Sequence, residues 1–311
     1  MYIGLDVGGT NLKSGVLDDN GKLIFSYAQA TRAQKGLDYV LNILKRSIYI
    51  LLEKFPEVKA IGIGIPGIVD ETGTIIISPN LPEWYDVPLG KFVRNIFSIP
   101  SIVDNDANVA AIAEMELGVG KDLQNFIYLT LGTGAGGAIV INREVYKGEN
   151  LGAGEIGHLI IDMYDETEKK ELFRNGILEK YVGRNQITEL GYEVIANYPD
   201  SLLHKYDRPD PYFISEAISL GDKAAEELFT IVGHRMGIGL ASAMNFLDIG
   251  VAIVGGGISQ AHPLLMNTAL KTIQARALPT IAQRAEIRKA RYTKDAGIIG
   301  AALLAKSLIK S

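Results

Sequence analysis

At 311 residues the chain exceeds the usual size of one hydrophobic core, so two domains of roughly 150 residues are the starting expectation. Its 31 Lys and Arg against 36 Asp and Glu give a net charge of −5 spread along the chain, which argues against a nucleic-acid partner, since such binding needs a cationic field. No apolar run reaches the ~18 residues of a membrane span, and the absence of cysteine excludes disulfides and thiolate-held metals.

Met1-Tyr2-Ile3 enters an apolar strand with no cationic stretch before it, so a signal peptide is not expected and the cytoplasm is. That strand leads to Asp6-Val7-Gly8-Gly9-Thr10. Residues 12–17 and 22–29 flank Asp18-Asp19-Asn20-Gly21, whose Asn-Gly predicts a hairpin turn. Leu37, Val40, Leu41, Leu44, Ile48, Leu51, Leu52 and Phe55 recur at helical spacing until Pro56. Residues 60–65 read as a buried strand, and 102–104 as a short one delivering Asn105-Asp106-Ala107-Asn108 to a helix that ends near Gly118. Alternating strands and helices predict a largely parallel sheet.

From Asn125 the pattern restarts: a strand over 126–131, the glycine-rich turn Gly132-Thr133-Gly134-Ala135-Gly136-Gly137, then strands over 138–141 and 145–146. Helices are predicted at 178–190, 211–218 and 222–245, followed by a buried strand at 251–254 that ends in Gly255-Gly256-Gly257, and a terminal amphipathic helix over 296–309. The expected division is a small lobe of residues 1–118 completed by a helix over 297–311, and a large lobe of 119–296, hinged near Gly118 to Asp122.

Two glycine-rich turns leaving buried strands suggest two lobes gripping one polyphosphate. Glycine permits φ > 0 and lets successive N–H groups face one anion, while Thr10 and Thr133 add hydroxyls. Asp6 stands where a carboxylate could hold the water shell of Mg²⁺, which keeps most of its waters on nucleotide phosphates. Gly255-Gly256-Gly257 would let a nucleoside lie against bare main chain. No Gly-x-Gly-x-x-Gly opens the first helix and no Gly-Lys-Ser/Thr closes a phosphate loop, so Rossmann and Walker sites are excluded.

Asp106, at the carboxyl end of a strand and the start of a helix, is the catalytic candidate: a carboxylate there can take the proton of an acceptor hydroxyl. Its competing role is a helix cap, and Asp104 within the strand reads as structural. Glu155 and His158 on Gly152-Ala153-Gly154-Glu155-Ile156-Gly157-His158, with Glu179 downstream, suit a hydroxyl-rich ligand, whereas Trp84 reads as packing.

On Leu5 to Thr10, Gly64-Ile65-Pro66-Gly67, Ser78-Pro79-Asn80-Leu81, Asn105 to Asn108, Leu131 to Gly134, Gly154 to His158 and Gly255 to Ser259, the chain resembles the ROK family (repressor, open reading frame, kinase), above all its glucokinases and hexokinases. The resemblance implies an α/β, actin-like ATPase (ribonuclease H-like) fold with two lobes and an interlobe cleft, ATP and Mg²⁺ as cofactors, and transfer to the 6-hydroxyl of a hexose. It implies Asp106 as base, Gly67, Asn80, Asn105, Glu155, His158 and Glu179 on the sugar, and Asp6, Gly8, Gly9, Thr10, Asn11, Gly132, Thr133, Gly134, Gly255, Gly256 and Gly257 on the nucleotide. A homodimer is also implied. The alternatives are an N-acetylmannosamine or N-acetylglucosamine kinase, and a non-catalytic sugar sensor on the same scaffold. The repressor branch carries an N-terminal DNA-binding domain, which a first strand at Tyr2 leaves no residues for.

One stretch departs from the family. After Gly-His the family places Cys-x-Cys-Gly-x-x-Gly-Cys-x-Glu, holding a structural zinc. Here Lys170, Leu172 and Ile177 stand at the cysteine positions, while Gly176 and Glu179 are kept. Zinc cannot be held this way, and apolar packing by Leu172 and Ile177 is expected in its place. His158 loses the metal that would fix its tautomer.

Overall fold

The computed structural model describes residues 1–78, 81, 83–165 and 174–310. Its contacts divide the chain into two compact units, one of Met1–Leu123, Val145–Ala153 and Lys294–Ser311, the other of Gln124–Glu144 and Gly154–Thr293.

The first unit starts with β1 (Tyr2–Val7), β2 (Asn11–Leu17), β3 (Leu23–Ala30) and α1 (Leu37–Lys54). It continues with β4 (Ala60–Ile65), the short β5 (Ile68–Val69), β6 (Ile75–Ile77) and β7 (Tyr85–Val87), α2 (Leu89–Phe97), β8 (Ser101–Asn105) and α3 (Asp106–Leu117). The main sheet has the order β3-β2-β1-β4-β8, and β5, β6 and β7 form a separate antiparallel sheet. Pairing is antiparallel from β1 to β3 and parallel from β1 through β4 to β8. The sheet is therefore mixed rather than largely parallel, because Gly8 to Thr10 and the Asn20-Gly21 turn join consecutive strands as hairpins.

What fixes α3 is the terminal helix, Ala296–Lys310, laid backbone to backbone across this unit. A Cβ on Gly4 would stand 2.0 Å from the Ile298 carbonyl oxygen, one on Gly62 1.8 Å from that of Ala301, and one on Gly300 1.6 Å from that of Val109 in α3. Three glycines thus form the notch in which β1, β4, α3 and the terminal helix meet, and α3 is buried from Ala107 through Met115. Around it Ile3, Leu5, Leu44, Ile61, Ile63 and the fully buried Trp84 make the core.

The second unit repeats the plan with β9 (Phe126–Leu131), β10 (Ala135–Ile141), β11 (Glu144–Tyr146, of which only Glu144 falls in this unit), α4 (Glu179–Val182), α5 (Arg184–Ile195), α6 (Pro211–Ser219), α7 (Lys223–Leu247), β12 (Val251–Gly255), α8 (Leu264–Arg276), α9 (Pro279–Ala282) and β13 (Glu286–Lys289). Its sheet order is β11-β10-β9-β12-β13, antiparallel from β10 to β9 and parallel from β9 through β12 to β13, as from β2 through β1 and β4 to β8 in the first. The helix expected over 178–190 breaks at Gly183, whose backbone is extended (φ −68°, ψ 156°) and whose Cβ would stand 2.9 Å from the Thr133 carbonyl oxygen. α7 carries the core of this unit through Leu228, Phe229, Met236 and Leu240. No described helix is long and apolar enough to cross a membrane.

Candidate active site

In the first unit the parallel strand β8 hands the chain directly to α3, so Asn105 becomes the helix cap and Asp106 its first residue. The Asn105 Oδ1 accepts from the N–H groups of Ala107 at 2.8 Å and Asn108 at 3.2 Å, and its Nδ2 donates to the Gly67 carbonyl at 3.0 Å. The capping role open to Asp106 is therefore filled by its neighbour. Asp106 Oδ1 accepts from the Ala107 N–H at 2.9 Å, and the residue is half-buried. Gly67 has φ 123°, and a Cβ there would stand 2.2 Å from the Ile77 carbonyl oxygen, so only glycine fits beside β6.

Beneath this joint the buried Asp104 carboxylate is fully engaged. It accepts from the Asn105 N–H and the Asn108 Nδ2, and Lys147 Nζ reaches its Oδ2 at 2.7 Å. A buried carboxylate without its cation would be costly, so Lys147 keeps the β8–α3 joint in shape.

Asp6 is the penultimate residue of β1, cross-strand from Lys13, whose Nζ lies 3.4 Å from its Oδ2. Burial pushes the Asp6 carboxyl above its usual range, and Lys13 opposes that rise. The first turn of the terminal helix closes on the same carboxylate, since a Cβ on Gly297 would lie 2.5 Å from Asp6 Cγ. In the hairpin between β1 and β2 the Gly8 N–H bonds to the Asn11 carbonyl at 2.9 Å, and Thr10 and Asn11 are exposed.

The corresponding hairpin of the second unit, Gly132-Thr133-Gly134, joins β9 to β10 in the equivalent place, with Thr133 exposed. In neither hairpin does Gly8, Gly9, Gly132 or Gly134 sit at positive φ, contrary to the role expected from glycine's freedom. At Gly134 the lack of a side chain serves close approach instead, since a Cβ there would stand 2.2 Å from Glu179 Oε2. Positive φ appears at Gly256 (78°), where a Cβ would press on the Leu131 carbonyl oxygen at 2.2 Å, bringing the tri-glycine turn against the end of β9.

Glu179, the first residue of α4, is tied on both oxygens. Oε2 accepts from the Ala135 N–H at 3.0 Å and Oε1 pairs with Arg174 Nη2 at 2.9 Å. It thus buttresses the second hairpin as well as standing near Glu155. The Glu155 side chain keeps access to solvent but is ringed by protein, and that desolvation pushes its carboxyl up; His158 opposes the shift and Glu179 adds to it. His158 is exposed at the end of a short 3₁₀ turn, Ile156–His158, that begins beside Glu155. Asn80, expected on the sugar, lies outside the described residues, as do Lys170 and Leu172. Ile177 is buried, in line with an apolar replacement at that position, and its backbone bridges that of the exposed Ile160.

Sequence reasoning missed Lys13, Lys147 and Arg174, the three cations that hold Asp6, Asp104 and Glu179. Cross-strand register could have found Lys13; Lys147 depends on tertiary contact, and Arg174, five residues before Glu179, lies in a stretch with no helical or strand period to place it. Among the described residues no group of three or more His, Asp or Glu side chains could hold a metal ion.

The sequence pattern of the ROK family matches residues 2–308. A glucokinase of Halalkalibacterium halodurans is 32% identical over 98% of this chain and 94% of its own length. A xylose repressor of Bacillus spizizenii is 26% identical over 96% of this chain but 75% of its own length. The structure of a ROK family glucokinase from Streptomyces griseus, in complex with glucose and AMPPNP, superposes with a TM-score of 0.82 at 28% identity, covering 98% of this chain and 99% of that one. The duplicated sheet is that of the actin-like ATPase, ribonuclease H-like fold.

Proposed function

Because the chain belongs to the ROK family, we propose that it is an ATP-dependent sugar kinase that phosphorylates a hexose at its 6-hydroxyl, with Asp106 as general base. The observation that carries the reading is the β8–α3 joint. Asn105 takes over the capping bonds, which leaves Asp106 at the first helical position with a carboxylate that the helix N-terminus favours as an anion. The glucokinase relative and the nucleotide-and-sugar complex of a structural neighbour support the class of reaction.

In this reading Asn105, Gly67, Glu155, His158, Glu179 and Asn80 hold the sugar hydroxyls. The Asp106 carboxylate takes the proton of the 6-hydroxyl as its oxygen forms a bond to the γ-phosphorus, the bond from that phosphorus to the bridging oxygen breaks, and ADP leaves. The Gly8-Gly9-Thr10 and Gly132-Thr133-Gly134 hairpins present N–H and hydroxyl donors to the phosphates. One carboxylate, Asp6, near the end of the strand that leads into the exposed Thr10–Asn11 hairpin, suits Mg²⁺ held largely through water rather than in a protein cage. When bound, that ion would neutralise charge on the β- and γ-phosphates.

ADP release coupled to a chromogenic readout, measured with a panel of hexoses and N-acetylated amino sugars, tests the proposal. Sugar-dependent turnover strongest with an unmodified hexose is expected. Preference for N-acetylmannosamine or N-acetylglucosamine would reassign the substrate, sugar binding without turnover would indicate a sensor, and ATP loss independent of sugar would overturn the kinase reading.

A further inference from the structure

A nucleotide triphosphate carries several negative charges, and none of the three glycine turns contains a cation. In the second unit that need points to Arg184, which the reading above gives no task. Arg184 is the first residue of α5, and its N–H donates to the Gly132 carbonyl at 3.0 Å, anchoring it against the second hairpin. Its side chain reaches the other way: a Cβ on Gly257 would stand 3.5 Å from Arg184 Nη2. One residue therefore spans from the hairpin after β9 to the tri-glycine turn after β12.

The glycines at the two ends of that span are bare for no reason internal to the protein. Neither Gly132 nor Gly257 has positive φ. A Cβ on Gly132 would meet nothing within 4 Å, and one on Gly257 would meet only the movable end of Arg184. Their neighbours differ, since Gly134 is needed by Glu179, Gly183 by the Thr133 carbonyl and Gly256 by the Leu131 carbonyl. Open main chain at both turns fits a ligand laid along them. The guanidinium stretched between is exposed and makes no hydrogen bond or ion pair among the described residues.

We propose that Arg184 is a nucleotide-binding residue whose guanidinium takes the phosphates of ATP and ADP between the second hairpin and the tri-glycine turn. Its planar fork offers two parallel N–H donors to phosphate oxygens. It thereby supplies, from a helix start, the cation that a Gly-Lys-Ser/Thr loop would carry within itself. The inference rests on the kinase reading only for the identity of the phosphate donor.

Calorimetric titration of the intact protein with ADP and, separately, with adenosine tests this without requiring turnover. In Arg184→Gln, ADP affinity should fall roughly ten-fold or more while adenosine affinity stays within about two-fold, and Arg184→Lys should recover part of the loss. KM for ATP should rise with KM for sugar unchanged. Three results would each overturn the assignment: unchanged ADP binding in Arg184→Gln, equal losses for ADP and adenosine, which would mean stacking on the base, or a lowered melting temperature with sugar KM raised in parallel. Wild-type protein that fails to bind ADP would refute the nucleotide reading itself, an outcome distinct from a failure of Arg184 alone.

Discussion

Asn105 makes two connections at once, and substitutions there separate folding from function. Its Oδ1 caps α3 through Ala107 and Asn108, and its Nδ2 holds the Gly67 carbonyl. Asn105→Ala removes the cap, worth about 1 kcal/mol, and the bond to Gly67, worth about another 1 kcal/mol. In a unit of about 150 residues a loss of about 2 kcal/mol lowers the melting temperature by roughly 4–8 °C. Asn105→Asp keeps the cap and places an anion at a helix start, which is favourable, but sets a carboxylate against the Gly67 carbonyl. Its melting temperature should lie above that of Asn105→Ala, while kcat/KM for the sugar falls because the Gly67 loop and the amide donor are both lost. Thermal melts read beside steady-state kinetics on the preferred hexose decide the matter. Wild-type kcat/KM in Asn105→Asp would reduce Asn105 to a cap, and a wild-type melt in Asn105→Ala would show that these bonds contribute nothing.

Asp106→Asn should lower kcat by roughly 10²–10⁴-fold with sugar affinity nearly kept, and near-wild-type turnover would remove Asp106 from the mechanism. Desolvation raises the Glu155 carboxyl, so if its anion accepts a sugar hydroxyl, kcat/KM should be full above that raised value and fall as pH drops through it, starting above the ordinary glutamate range near ~4.3; a limb unchanged in Glu155→Gln would assign it to another group. Gly62→Ala forces a methyl to within 1.8 Å of the Ala301 carbonyl oxygen, where only backbone could yield, and should cost about 1–3 kcal/mol or more in a melt. Tyr181→Phe should lower the melting temperature and raise sugar KM, whereas dialysis against a chelator should leave the melt of the wild-type protein unmoved; a fall with chelator would mean that a metal supports the fold after all.

What the sequence disclosed was local. The glycine turns after β1, β9 and β12 were legible because each follows an apolar run, and the strand-to-helix joint because Asn105-Asp106 sits between one run and the next. The sheet β5-β6-β7 was not, since strands of two or three residues have no period to detect, and β13 reads Glu-Ile-Arg-Lys, the charged pattern of an edge. The helix break at Gly183 follows from a close approach to Thr133, a distant residue. The candidate carboxylates were visible as residue types, but the cations that engage three of them were not. Lys147 lies far along the chain from Asp104, and Arg174 sits in a stretch whose family counterpart is known for its cysteines.

That stretch explains how a loop can be held without thiolates. The chain after His158 runs beside the chain before α4, through Ile161 N–H to the Gly176 carbonyl at 2.8 Å and Leu178 N–H to the Leu159 carbonyl at 2.8 Å. Asp165 Oδ2 accepts from the Gly176 N–H at 2.9 Å, and the Tyr181 hydroxyl lies within hydrogen-bond reach of both Asp162 Oδ2, at 3.0 Å, and Asp165 Oδ2, at 3.2 Å. Burial and the two carboxylates push the Tyr181 phenol far above its usual range, so it stays a donor at any working pH. Arg235 of α7, 4.8 Å from the centroid of the Tyr181 ring, places a cation within electrostatic reach of Asp162. A metal clip would fix the loop by coordination; here a phenol, two carboxylates and a guanidinium contribute hydrogen bonds and charge, and Ile177 is buried. The same loop starts at Glu155 and the same helix starts at Glu179, so this network holds both proposed sugar-binding carboxylates in place. It follows that substitutions within it should register first as weaker sugar binding, ahead of any change at Asp106.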